Sequence, residues 1–190
     1  YQFAVMGSIL TQAMDNIERP VVGLVNVGEE EIKGNEQVRE TAELLSQSDI
    51  INFTGYIEGG DIFKGKVDVV VCDGFVGNIM LKSVEGIAKL IGQFTREEYH
   101  RNLYSKIAGL ISRPILSRMR ERVDPRRHNG ATFIGVNGIV IKSHGGAGIM
   151  ALKAAIEEAI IEIEKNIPER IREKLSQALQ ENQGECDTQK

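Results

Sequence analysis

Three β-branched runs in this chain stop abruptly in loops built from glycine, asparagine and a charged group, and a helical pattern follows each loop. The first is Val21-Val22-Gly23-Leu24-Val25-Asn26, ahead of the polar stretch from Gly28 to Asn35. The second is Val67-Asp68-Val69-Val70-Val71-Cys72, ahead of Asp73-Gly74-Phe75-Val76-Gly77-Asn78. The third is Gly138-Ile139-Val140-Ile141-Lys142, ahead of Ser143-His144-Gly145-Gly146. A buried parallel strand offers polar neighbours to a ligand at its carboxyl end, and in open α/β sheets ligands bind at that edge. Glycines let the backbone approach closely, and the helix that follows presents free N–H groups. The pattern therefore predicts an α/β enzyme that handles an anion.

The rest of the chain fits a layered sheet. Residues 1–16 carry Phe3, Met6, Ile9, Leu10 and Met14 near helical spacing, and Pro20 closes that region. Strands are predicted at 21–26, 50–54 (ended by Gly55) and 67–72. Asn35 fits an N-cap for a helix with Val38, Ala42 and Leu45 on one face. Glu58-Gly59-Gly60-Asp61 reads as a turn, with Asp61 capping a helical turn to Phe63. A long amphipathic helix is expected over 77–98, and two helical pieces broken at Pro114 over 100–123. Strands at 131–136 and 138–142 are expected to form a hairpin on a two-residue Asn137-Gly138 turn. A helix then runs from Gly146 to about Asn166, and Pro168 opens a last one, with residues 183–190 disordered. This alternation predicts a three-layer α/β/α Rossmann-like sheet with right-handed crossovers, mostly parallel, plus one antiparallel hairpin and a protruding helical hairpin. The expected organisation is an α/β lobe over 1–166, holding a helical hairpin at about 99–125, and a C-terminal helix and tail over 167–190. About five strands is thin for a free-standing domain of this kind, and Tyr1-Gln2-Phe3 reads as a cut through a helix; both suggest a missing lobe.

Composition excludes several classes. No apolar run approaches the ~18 residues of a membrane-spanning helix. Two cysteines, Cys72 and Cys186, make no framework and no metal spacing, which fits a reducing cytosol. Dinucleotide, Walker and nucleophile-elbow motifs are absent, and so is an aspartate cluster of the kind a metal-dependent dehydrogenase needs. No cofactor and no metal is expected. What remains is an enzyme that positions an anion and lets it react.

Candidate residues follow from the loops. The first holds Asn26, Glu29, Glu30, Glu31, Lys33, Gly34 and Asn35. A cation and an amide beside a helix start suit a phosphate, and one glutamate fits either a general base or the partner that fixes Lys33. A solvated acidic turn before a capped helix explains the same residues. In the second loop Gly74 and Gly77 free the backbone; Asn78 caps the helix or offers its amide, and Lys82 lies one turn on. In the third, Lys142 ends a strand and His144 sits beside Gly145, placed to bind or protonate an anion.

The net charge of −4 hides an asymmetry: residues 101–127 hold eight Lys or Arg against Glu121 and Asp124. Leu110, Ile111, Ile115 and Leu116 lie among Arg113, Arg118, Arg120 and Arg122. An apolar tip with basic flanks suits a membrane surface or an acidic protein, and nucleic acid less well, since stacking aromatics are few. Burial against a second copy of the same hairpin explains it equally.

At these motifs the sequence resembles the bacterial PlsX family, the phosphate acyltransferases of phospholipid synthesis. The likeness is carried by Arg19-Pro20-Val21 through Asn35, by Asp61-Ile62-Phe63 and Val69 through Asn78, and by Val140 through Gly145. It runs from about residue 1 to 165 and corresponds to the carboxyl-terminal portion of the family. The resemblance implies transfer of an acyl group from acyl carrier protein to inorganic phosphate. It implies a fold similar to the isocitrate/isopropylmalate dehydrogenases and phosphotransacetylases. It also implies a cytoplasmic homodimer, peripheral to the inner face of the membrane, near the downstream glycerol-3-phosphate acyltransferase. On it, Lys33, Asn78, Lys142 and His144 are expected in catalytic roles. Asn26, Gly34, Asn35, Gly74, Gly77, Lys82 and Gly145 are expected to bind substrate. The alternative is an inactive fragment that dimerises and docks on membrane or carrier protein.

Overall fold

The computed structural model describes residues 1–30, 32–122, 130–143 and 148–188, with side chains except at 120–122 and 181–188. It divides into two compact units, Tyr1–Cys72 with Asn129–Lys190, and Asp73–His128.

The first unit is mixed α/β. Its centre is a three-stranded parallel sheet of β1 (Val21–Val25), β2 (Asn52–Ile57) and β3 (Val69–Val71), in the order β2-β1-β3. Helix α1 (Gln2–Asp15) lies against β3 and β1, and α2 (Glu36–Ser46) against β2 and β1. Helix α6 (Ile167–Thr188) packs along α1. Contact from both the sheet and α6 explains why α1 buries Ala4, Val5, Met6, Ile9 and Ala13 rather than a single stripe. These residues join Val22, Leu24, Leu45, Val71, Ile167 and Ala178 in one core. Gly23 leaves room inside it: a Cβ there would stand 2.9 Å from Ile57 and 3.1 Å from Val67.

A separate antiparallel pair, β4 (Ala131–Thr132) and β5 (Ile141–Lys142), carries α5 (Ile149–Glu164) against it. The pair is shorter than the expected hairpin, and its connection is not the tight Asn137-Gly138 turn. Gly135 and Gly138 both hold positive φ (85° and 146°), and the Gly138 N–H bonds the Val136 carbonyl at 2.9 Å. That local turn takes the place of a primed two-residue turn and widens the loop.

Two further expectations shift in this unit. Gly55 does not end β2. The register passes from Val22↔Phe53 to Leu24↔Tyr56, so Thr54 and Gly55 together oppose Gly23. Gly55, at φ 103°, absorbs the extra residue as a bulge. At the other end, α6 continues to Thr188, where a disordered tail from 183 was expected.

The second unit holds α3 (Gly74–His100) and α4 (Leu103–Arg122), packed on one another. α4 runs through Pro114 without a break, so the reversal falls at Arg101–Asn102 instead. A proline costs an interior helix one hydrogen bond and some bending, and the helical sequence on both sides carries the element past it. α3 starts at Gly74 because Asp73 caps it, accepting from Phe75 N–H at 2.8 Å and Val76 N–H at 2.9 Å. Asn78, read as a possible cap, therefore stands inside the helix. Asp73→Ala is expected to cost about 1 kcal/mol of stability, read as a shift in the urea midpoint.

A candidate anion site at the carboxyl end of the first strand

The loop after β1 is tightly organised. Asn26 is buried, and its own N–H extends the strand ladder to the Ile57 carbonyl at 3.0 Å. Its side chain then ties the loop together. Nδ2 donates to the Lys33 carbonyl at 3.2 Å, and Oδ1 accepts from Val27 N–H at 2.9 Å. The Lys33 N–H donates to the Glu30 carbonyl at 3.0 Å. Gly34 sits at φ 93°, where a Cβ would stand 2.5 Å from Asn26 Oδ1. Asn35 caps α2 as its sequence suggested, Oδ1 accepting from Val38 N–H at 2.9 Å. Its Nδ2 is thereby left as the donor end of that amide.

Lys33 folds back over Gly28 and places its ammonium 2.7 Å from Glu30 Oε2. The missing Cβ at Gly28 makes this possible, since an added one would lie 2.6 Å from Lys33 Cδ. The hydrogen bond to Glu30 pushes the Lys33 pKa up, helped by the Glu30 and Glu58 charges, and the same bond holds Glu30 below its ordinary value. Lys33 is therefore an ammonium at neutral pH. It can stabilise negative charge but cannot serve as a base. Among the glutamates, Glu30 fills the partner role that the sequence left open; Glu31 lies outside the described residues.

So Asn26, Lys33, Gly34 and Asn35 form one loop. Lys142 stands exposed at the end of β5 in the same unit, with no ion pair to that loop among the described residues. Gly74, Gly77, Asn78 and Lys82 belong to α3 in the second unit, where Lys82 Nζ lies 3.3 Å from Glu85 Oε2. His144 and Gly145 lie outside the described residues. Among those described, no group of His, Cys, Asp and Glu could hold a metal.

Two acid sites escaped sequence reading. Asp61 was expected as a cap; instead Oδ1 takes Lys64 Nζ and Lys66 Nζ, each at 2.9 Å. Those two bonds hold its pKa down to about 2, against an ordinary 3.8. The spacing Asp61-x-x-Lys64 was the one available signal. A depressed carboxylate contributes stability that is present above pH 3.8 and lost as pH falls towards 2. Asp61→Asn is therefore expected to be less stable than the parent at neutral pH, with the gap closing between about pH 4 and pH 2 in denaturant titrations. The other site is Glu162 on α5, 1% exposed, which accepts from the Thr132 hydroxyl and ties α5 to β4. Burial, with the Glu162 and Asp15 charges behind it, pushes its neighbour Glu158 up.

The fold and loop thus define a mixed α/β protein with a carboxylate-held lysine at the carboxyl edge of a parallel sheet. The model of the fatty acid synthesis protein family matches residues 1–170, and the chain belongs to that family, the PlsX family its motifs resemble. Three similar proteins each bear the name phosphate acyltransferase. That of Coxiella burnetii is 55% identical over 181 residues, 95% of this chain and 53% of that protein. That of Hydrogenovibrio crunogenus is 55% identical over 170 residues, 90% of this chain and 50% of that one. That of Alkalilimnicola ehrlichii is 52% identical over 179 residues, 94% and 52%. The chain spans about half the length of the curated relatives it matches.

Proposed function

We propose that this chain supplies part of the site that transfers an acyl group from acyl carrier protein to inorganic phosphate, for phospholipid synthesis. The observation that carries this reading is the Lys33 ammonium, held by Glu30 over Gly28 at the carboxyl end of β1. Relatives named phosphate acyltransferase, over half their length, support it.

The chemistry needs no covalent enzyme intermediate. A phosphate oxygen attacks the thioester carbonyl, the carbonyl oxygen gathers charge, and the C–S bond breaks as the C–O bond stays. The leaving thiolate takes up a proton. The protein must hold phosphate against the carbonyl and stabilise the oxyanion. Lys33 and the Asn35 amide suit the phosphate or the oxyanion, and Asn26 and Gly34 fix their geometry. Asn78, Lys82, Lys142 and His144 are proposed for the same reaction on their sequence pattern alone. The fold proposed for the site is isocitrate/isopropylmalate dehydrogenase-like. To test the reading, the chain and one family-length relative are incubated with acyl-carrier thioester and phosphate, and acyl phosphate is trapped with hydroxylamine. Trapped product supports it; none from either protein removes it.

A second reading is favoured by α4. Leu110, Ile111 and Ile115 are 70%, 74% and 57% exposed, with Leu116 half-buried and Arg113 and Arg118 alongside. Such a surface suits a second copy, the acidic carrier protein, or an anionic membrane near the glycerol-3-phosphate acyltransferase. Among the described residues, no helix is long and apolar enough to cross a membrane. Reversing the charges of Arg113, Arg118, Arg120 and Arg122 is expected to weaken binding to anionic vesicles by about 1 kcal/mol for each residue. Vesicle sedimentation at two salt concentrations checks it, since the attraction is screened.

A further inference from the structure

A cavity of about 720 Å³ lies between α2 and the edge strand β2. It falls in the size range of small-molecule sites. No strand stands on the outer side of β2 among the described residues. The cavity runs along Phe53–Ile57, and so along the bulge at Thr54–Gly55. A Cβ at Gly55 would meet nothing within 4 Å. Bulges of this kind concentrate at sheet edges and beside binding sites.

Its lining selects among ligands. The walls carry the carboxylates of Glu29, Glu43 and Asp61 against the cations of Arg39 and Lys66. Lys66 is already bonded to Asp61 at 2.9 Å. The balance does not favour an anion, and so many charged walls do not suit a bare acyl chain. Phe53 and Tyr56 give flat apolar contact, while an open strand edge offers main-chain donors and acceptors to secondary amides. At one end the cavity reaches Glu29, whose neighbour Glu30 holds Lys33.

We propose that this groove binds an extended, uncharged chain bearing secondary amides, the pantetheine-type arm that carries the thioester donor, with its sulfur end towards the Lys33 loop. The proposal rests on the acyl transfer proposed above. It places the donor arm along β2 and the phosphate beside it, at the carboxyl edge of the sheet.

The test is a titration of the 190-residue chain with pantetheine at millimolar concentration, followed by amide shifts in ¹⁵N–¹H spectra. Shifts confined to Phe53–Ile57 and the facing turns of α2 support the proposal; shifts elsewhere, or none, overturn it. Ser46→Trp and, one residue on, Gln47→Trp plug the groove from α2, and each is expected to weaken binding about tenfold or more. In the trapping assay either plug is expected to raise the KM for donor by a similar factor and leave the KM for phosphate unchanged. Running that assay with acyl-carrier and with acyl-coenzyme A thioesters shows which arm the groove takes, and a rise with neither overturns the proposal. The titration needs no turnover. Absence of acyl phosphate therefore counts against the reaction alone, while active plugs with unchanged donor KM count against the groove alone.

Discussion

Lys33→Met is expected to lower kcat/KM for acyl phosphate formation by about two to three orders of magnitude. Two effects compound. The first is loss of the ammonium. Its bond to Glu30 raises its pKa, so in the parent it is charged throughout the neutral range and available to an oxyanion. The second is what remains. Glu30, held ionised by that same contact, is left as an uncompensated carboxylate beside the phosphate it would then repel. Methionine keeps the unbranched stem that lies over Gly28, so packing changes little, and the exposed position predicts an unchanged unfolding midpoint. The double variant Lys33→Met with Glu30→Gln is expected to recover part of the loss, because it removes the repulsion without restoring the cation. Hydroxylamine trapping against phosphate concentration separates the two contributions. If Lys33→Met stays within about threefold of the parent, the loop is not where charge develops.

This loop was legible because three signals coincide there: a β-branched run, glycines at the turn, and an asparagine where α2 begins. Lys33 and Asn26 are brought together by that local grammar, over eight residues. Asn35 as the cap of α2 and the strands β1 and β3 were readable for the same reason, since adjacent residues decide them. What failed depends on partners distant in sequence or on alternatives of similar cost. Gly55 looked like a strand terminator, and only pairing with β1 shows that its positive φ is taken up as a bulge. Asp73 and Asn78 both suit a helix start, and Asp73 wins because it can accept from two N–H groups at once. Pro114 was read as a break between two helical pieces, although a helix with good residues on both sides passes it. Glu162 gave no signal at all. It occupies a buried face of α5 while Ile156 and Ile160 are exposed, the reverse of what hydrophobic periodicity would place there.

Gly34→Ala is expected to remove the site by a different route, through the backbone. An alanine at φ 93° carries a conformational cost of about 1–2 kcal/mol. Its Cβ would also stand 2.5 Å from Asn26 Oδ1 and 3.3 Å from Val38 Cγ1. Asn26 cannot simply swing away, because it is buried and its amide is committed to Val27 N–H and the Lys33 carbonyl. Releasing those two bonds adds about 0.5–1.5 kcal/mol each, for a total loss near 2–5 kcal/mol. Activity should fall at least as far as in Lys33→Met, since the carbonyl that Asn26 grips belongs to Lys33 itself. Gly28→Ala provides the contrast. Its Cβ would meet the far ends of the Lys33 and Glu30 side chains at 2.6–2.7 Å, and flexible ends move at little cost. That variant is expected to lose the ion pair and turnover while its urea midpoint stays near the parent's. Equal destabilisation by both variants would mean that the loop is held by something other than the Asn26 amide.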